Sequence, residues 1–115
     1  MDELVMYIVV NIDLKMGKGK IAAQVAHSAV KVAHDLFLNN KESWTKWYGG
    51  SYTKIVLKAS GNDLQSLVRR YGAFMCRWTF DEGRTQIGRG SLTTVAFFPV
   101  PKALCPEELK KMKLL

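Results

Sequence analysis

The chain reads as an α/β layered domain, with helices on both faces of a mainly parallel sheet. Three observations predict this. Four apolar segments rich in β-branched and aromatic residues alternate with segments of helical period. Glycine-rich or capping residues separate most of them. The connection at 81–91, DEGRTQIGRGS, carries no convincing helical pattern, so the last two strands form an antiparallel pair or belong to a mixed sheet. At 115 residues the chain is one domain, spanning 1–115.

The first strand is residues 4–10, LVMYIVV, a continuous apolar run of the kind covered on both faces. Gly17 and Gly19 mark the turn after it, and a long helix is predicted over about 20–38. A short helix over 42–48 precedes Gly49-Gly50, and TKIVLKA at 53–59 reads as the second strand. Asn62 or Asp63 can cap a helix whose Leu64, Leu67, Val68 and Tyr71 share a face, with Gly72 as its stop. AFMCRWTF and TTVAFF are the third and fourth strands. Pro106 suits the first turn of a terminal helix ending in LKKMKLL.

Composition narrows the function classes. No apolar run approaches the roughly 20 residues that span a bilayer, and the opening MDELVMYIVV begins with acids and continues as a strand rather than a signal peptide. Cys76 and Cys105 lack CxxC or other ligand spacing, so they read as reduced thiols in a cytoplasmic protein. A net charge of +7 and a pI near 9.6 favour polyanionic partners, because each neutralised phosphate releases condensed counterions.

MGKGKIAAQVAHS at 16–28 is the most informative stretch. At about 100° per residue, Lys20, Gln24, His27, Lys31 and His34 fall within roughly an 80° sector. Ile21, Ala22, Val25, Ala29, Val32, Ala33 and Leu36 then occupy the side predicted to pack on the sheet. The stripe starts where strand, glycine-rich turn and helix meet, the place where open α/β sheets bind ligands. GKGK matches neither GxxxxGK[ST] nor GxGxxG, so a phosphate cradle at the helix start is a weaker reading. A solvated polar face explains the stripe equally well. Trp44, Trp47 and Tyr48, at i, i+3 and i+4, suit hydrophobic packing better than a stacking surface for bases.

Two segments carry a family resemblance. DLKMGKGKIAAQVAHSAV (13–30) and DEGRTQIGRGSLTTV (81–95) closely resemble the signature blocks of the archaeal and eukaryotic, second family of peptidyl-tRNA hydrolases. The tail ELKKMKLL resembles that family's C-terminal helix, and the likeness covers nearly the whole chain in order. The resemblance implies a three-layer α/β/α fold with a mixed four-stranded sheet, commonly a homodimer, with no metal or organic cofactor. It implies a hydrolase that cleaves the ester joining a peptide to the terminal ribose of tRNA. The positions matching the family's functional residues are Lys20, Gln24, His27, Asp81, Thr85 and Thr93. Some members carry an N-terminal membrane anchor, whereas this sequence starts directly at the first strand. It departs from the family's usual residues at Ser28, Glu82, Gly88-Arg89 and Phe98, and none of these departures removes a polar site residue.

Ester hydrolysis needs an activated water, oxyanion stabilisation and a proton for the leaving ribose oxygen. The sequence has no GxSxG elbow and no Cys/His cluster, which argues against a covalent serine enzyme and against zinc hydrolysis. Asp81 is the candidate to orient or deprotonate water, and Lys20 the cation for an oxyanion or a phosphate. Thr85 and Thr93 can bond water or ribose. His27 can orient neighbours or transfer a proton, and the identity of the base stays open. Lys15, Lys18, Arg84 and Arg89 are the candidate tRNA phosphate contacts. Two alternatives are a non-catalytic RNA-binding member of the fold and a nucleotide-phosphate-binding domain using GKGK with Asp81.

Overall fold

A computed structural model of the chain describes residues 3–82 and 90–115. In order these form β1 (Leu4–Asn11), α1 (Lys18–Asn39), α2 (Lys41–Tyr48), β2 (Lys54–Ala59), α3 (Gly61–Met75), β3 (Cys76–Phe80) and β4 (Leu92–Phe97). Two-residue strands, β5 (Val100–Pro101) and β6 (Lys113–Leu114), extend the sheet. The strand order is β3-β4-β1-β2-β6, with β5 also against β1. β1 and β2 are parallel, while β4 runs antiparallel to both β1 and β3. The sheet is therefore mixed rather than mainly parallel, because β4 enters between β1 and β3 in the opposite direction. Four long strands carry it, as expected, and the two short ones are additional.

One consequence of this topology builds the site. β1, β2 and β3 all point the same way, and β4 alone among the long strands opposes them. The C-terminal ends of β1 and β3 and the start of β4 therefore share one end of the sheet. The turn into α1 and the residue after β3 are brought together there.

Each face of the sheet has its own core. Met6, Ile8 and Ala96 pack with Val32, Leu36 and Trp47 beneath α1 and α2. Val5, Tyr7, Val9, Leu57, Val95 and Phe97 pack with Leu64 and Leu67 of α3 and with Leu109. The residues of β1 feed both cores, which is why its run is apolar without alternation. Cys76 and Cys105 are free thiols buried in the α3-side core.

Several boundaries move for physical reasons. α1 starts at Lys18 rather than Lys20, with Gly17 as an extended N-cap that supplies no side-chain bond. α3 is capped by Ser60, whose Oγ accepts from Asp63 N at 3.1 Å, rather than by Asn62 or Asp63. Gly72 does leave the helical region, at φ 58°, yet residues 73–75 add another turn, so β3 starts at Cys76. The tail is a 3₁₀ turn, Glu107–Lys111, followed by β6, and not an α-helix. A free helix of so few residues is marginal in water. The extended end instead pairs with β2, where Leu115 N donates to Val56 O at 3.0 Å. The Trp44–Tyr48 trio is divided: Trp47 is buried, Trp44 half-buried, and Tyr48 exposed in a near-parallel stack on Trp44.

Candidate functional site

The end of β1 is tied down before α1 begins. Asn11 Nδ2 donates to Leu92 O at 2.9 Å and its Oδ1 accepts from Asp13 N. Asp13 Oδ2 in turn accepts from Gly61 N at 2.8 Å, so the turn is fixed to both β4 and α3. Lys18 and Lys20 follow in the first turn of α1, the end where the helix dipole disfavours cations. Two lysines there cost a few tenths of a kcal/mol each and strengthen the attraction for an anion.

The anion present is Asp81. The ammonium of Lys20 donates to its Oδ1 in a close ion pair. The Asp81 side chain is 2% exposed and that of Lys20 13%. The Asp81 backbone is held from across the connection, its N–H donating to Ser91 O and its carbonyl accepting from Gly90 N, each at 2.8 Å. Gly90 sits at φ 86°, a conformation that favours glycine.

Behind this pair lies a layer of buried hydroxyls. The β3–β4 register slips between Thr79 and Phe80, so that Thr93 is the extra residue on β4. A bulge of this kind re-aims a side chain. Thr93 Oγ1 lies 2.6 Å from Gln24 Oε1 and 2.9 Å from Thr79 O. Thr94 Oγ1 donates to Gln24 O at 2.9 Å. Its one proton is thus used, so Ser28 Oγ donates to Thr94 Oγ1 at 2.7 Å and accepts from Thr79 Oγ1 at 2.8 Å. Among the described residues, no buried side-chain N or O lacks a partner.

This layer corrects the reading of α1. Gln24 was expected on the outward polar stripe, with Ala22 on the packed side. Gln24 is buried and Ala22 exposed. The face against the sheet is Gln24, Ser28, Val32 and Leu36, a ridge of fourth residues. Lys20, His27 and Lys31 do share a side, and Lys31 Nζ donates to Trp78 O at 2.7 Å.

An open cleft of about 1110 Å³ sits over the ion pair. Lys20, Gln24 and Asp81 line it, with His27 exposed at its wall and Gly19 at its mouth. A side chain at Gly19 would meet nothing within 4 Å, so packing does not require glycine there. Its absence leaves the cleft open. Such a volume accommodates a nucleoside with an attached acyl group. Lys15 and Lys18 are exposed on the approach to α1, and Glu82 is exposed beyond Asp81. Thr85, Arg84 and Arg89 lie outside the described residues.

Sequence reasoning missed Ser28, Thr79 and Thr94 as parts of the site's support. A signal existed. Gln24 and Ser28 are four apart in register with Val32 and Leu36, and Thr93-Thr94 places two hydroxyls in an otherwise apolar strand. Chemically, the arrangement offers a desolvated carboxylate, an ammonium with three donors, and a rigid amide–hydroxyl pair beside them. That is equipment for positioning water and stabilising developing negative charge.

Comparison with known proteins bears on this site. Residues 4–115 match the family model described as "Peptidyl-tRNA hydrolase PTH2". A protein of Sulfurisphaera tokodaii named "Peptidyl-tRNA hydrolase" is 38% identical over 119 residues, covering 96% of this chain and 97% of the relative. Proteins of the same name from Saccharolobus islandicus (strain L.S.2.15 / Lassen #1) and Saccharolobus solfataricus are each 36% identical over 118 residues, covering 96% of this chain and 98% of the relative.

Proposed function

The chain belongs to the peptidyl-tRNA hydrolase PTH2 family, and from that membership we propose that it hydrolyses the ester of peptidyl-tRNA to free tRNA and peptide. The observation that carries the reading is the Lys20–Asp81 pair at the floor of an open cleft. Asp81 orients a water, takes its proton as the water attacks the ester carbonyl, and passes a proton on to the leaving ribose oxygen as the C–O bond breaks. Lys20 has three donors, so it can hold Asp81 and still donate to the oxyanion. Gln24 and Thr93 bond the ribose or the attacking water, and Thr85 belongs with them by its match to the family pattern. His27 orients the substrate at the cleft wall.

The tRNA body is held through its phosphates by Lys15, Lys18, Arg84 and Arg89, which do not read sequence. The protein acts in the cytoplasm, and no helix among the described residues is long and apolar enough to cross a membrane. It works as a homodimer, for which the exposed Phe37, Tyr48 and Tyr52 beside α2 are the candidate contact. Sedimentation showing only a 13.0 kDa species at micromolar concentration would remove the dimer from this account.

The decisive assay is incubation with an N-acetylated aminoacyl-tRNA, with free aminoacyl-tRNA as control. Release of tRNA from the blocked substrate is expected, with far slower release from the control. No cleavage of either would overturn the reading.

A further inference from the structure

β3 is the outermost strand of the sheet, and no described strand pairs with its outer side. Its inner pairing fixes which groups face out. Phe98 N donates to Met75 O, and both backbone groups of Asp81 bond to Gly90 and Ser91. Odd-numbered positions from 75 to 81 therefore turn their N–H and C=O toward β4. Cys76, Trp78 and Phe80 turn theirs outward. The outward groups of Cys76 are already used, its N–H donating to Gly72 O and its carbonyl accepting from Arg77 Nη1 at 2.9 Å, while the Trp78 carbonyl accepts from Lys31, an exposed side chain. Lysines commonly blunt sheet edges in this way.

This edge runs directly into the cleft. Thr79, Phe80, Asp81, Lys31 and Val30 all line it. Val30 on α1 is 65% exposed and Phe80 50% exposed, so apolar surface is available beside the edge.

Resting on the hydrolase reading above, we propose that the free edge of β3 binds the peptide of peptidyl-tRNA as an added strand. The direction follows from the chemistry. The peptide's C-terminal residue carries the ester and must lie at Asp81, the C-terminal end of β3. The peptide then extends back toward Cys76, so it runs parallel to β3. The stretch whose outward groups can turn to a peptide, Trp78 to Phe80, spans roughly 7–10 Å, enough for about three peptide residues. Main-chain bonds are what all peptides share, so an edge strand recognises a substrate of arbitrary sequence. An aminoacyl ester without a peptide has no amide chain to lay there. Lys31 releases the Trp78 carbonyl when a peptide N–H replaces it.

The test measures KM and kcat for N-acetyl-alanyl-tRNA and for N-acetyl-capped peptidyl-tRNAs carrying two, four and six alanines. KM should fall by roughly tenfold from one to four residues, as two or so net hydrogen bonds would give, and then level off. N-methylation of single peptide amides in the four-residue substrate should raise KM at alternate positions and leave it unchanged at the positions between. A KM independent of length and of N-methylation, with the short substrate still cleaved, overturns the edge proposal alone. Failure to cleave even N-acetyl-alanyl-tRNA overturns the activity reading and this proposal with it.

Discussion

Lys20 and Asp81 are 61 residues apart in the chain and form an ion pair whose carboxylate is almost fully buried. Lys20→Ala and Asp81→Asn should each reduce turnover by roughly a hundredfold or more, the scale for losing an oxyanion stabiliser or a general base. The double variant should be little worse than either single one, because the pair acts as a unit. Lys20→Ala should also lower stability by roughly 1–3 kcal/mol, since Asp81 loses its ammonium while staying desolvated. Near-normal turnover by folded Asp81→Asn would remove Asp81 as the base.

Gly19 predicts a conflict between stability and activity. A Cβ there meets no protein atom, and alanine favours helix over glycine. Gly19→Ala should raise stability by about 0.5 kcal/mol. It should raise KM several-fold by intruding on the cleft. A variant that is both more stable and unchanged in KM would show that substrate does not approach this turn.

The hydroxyl layer is tested at Ser28. Ser28→Ala removes the acceptor for Thr79 and the donor for Thr94, both buried. Urea unfolding should show a loss of about 1–2 kcal/mol with unchanged m. A change below about 0.3 kcal/mol would mean that the neighbours re-pair at little cost.

Two pH limits follow from the Tyr71–Glu108 hydrogen bond. Burial, with the Glu108 carboxylate adding to it, pushes the Tyr71 phenol up to about 12. The same bond from Tyr71 holds the Glu108 carboxyl below its ordinary value. Tyr71 is raised, so its contribution is complete below pH 10 and is lost as pH rises through about 12. Glu108 is lowered, so its contribution is present above pH 4.5 and is lost as pH falls through the lowered value. Denaturant midpoints across both ranges measure this. Glu108→Gln should flatten the acid limb relative to the parent, and an identical limb would exclude Glu108 as a contributor.

Binding to tRNA should weaken by at least tenfold between about 50 and 200 mM salt. Replacing Lys15 or Lys18 by alanine should lower the slope of log K against log salt by about one. A flat response would argue against phosphate contacts by the basic surface.

The segments and their order were legible in the sequence because each depends on local pattern, whereas Lys20 and Asp81 were singled out together by the resemblance to the family's signature blocks. β1 is continuously apolar, TKIVLKA alternates into strand, and GKGK precedes a helix in any environment. The antiparallel alternative for β3 and β4 was also open, since 81–91 lacks a crossover helix. Val25, Ala29, Val32, Ala33 and Leu36 of α1 pack as their apolar pattern predicts, and the tertiary structure alone decided that Gln24 and Ser28 join them. Gln24 and Ser28 are polar, and hydropathy placed such residues outside. Their burial is tolerated only because Thr79, Thr93 and Thr94, from strands more than fifty positions away, satisfy their hydrogen bonds. The tail was misread for the same kind of reason: its helical pattern was local, but the open edge of β2 supplied backbone partners that an isolated turn lacks. A single residue's polarity is written in the sequence. Whether that polarity meets water or a partner is settled by the strand that arrives from elsewhere in the chain.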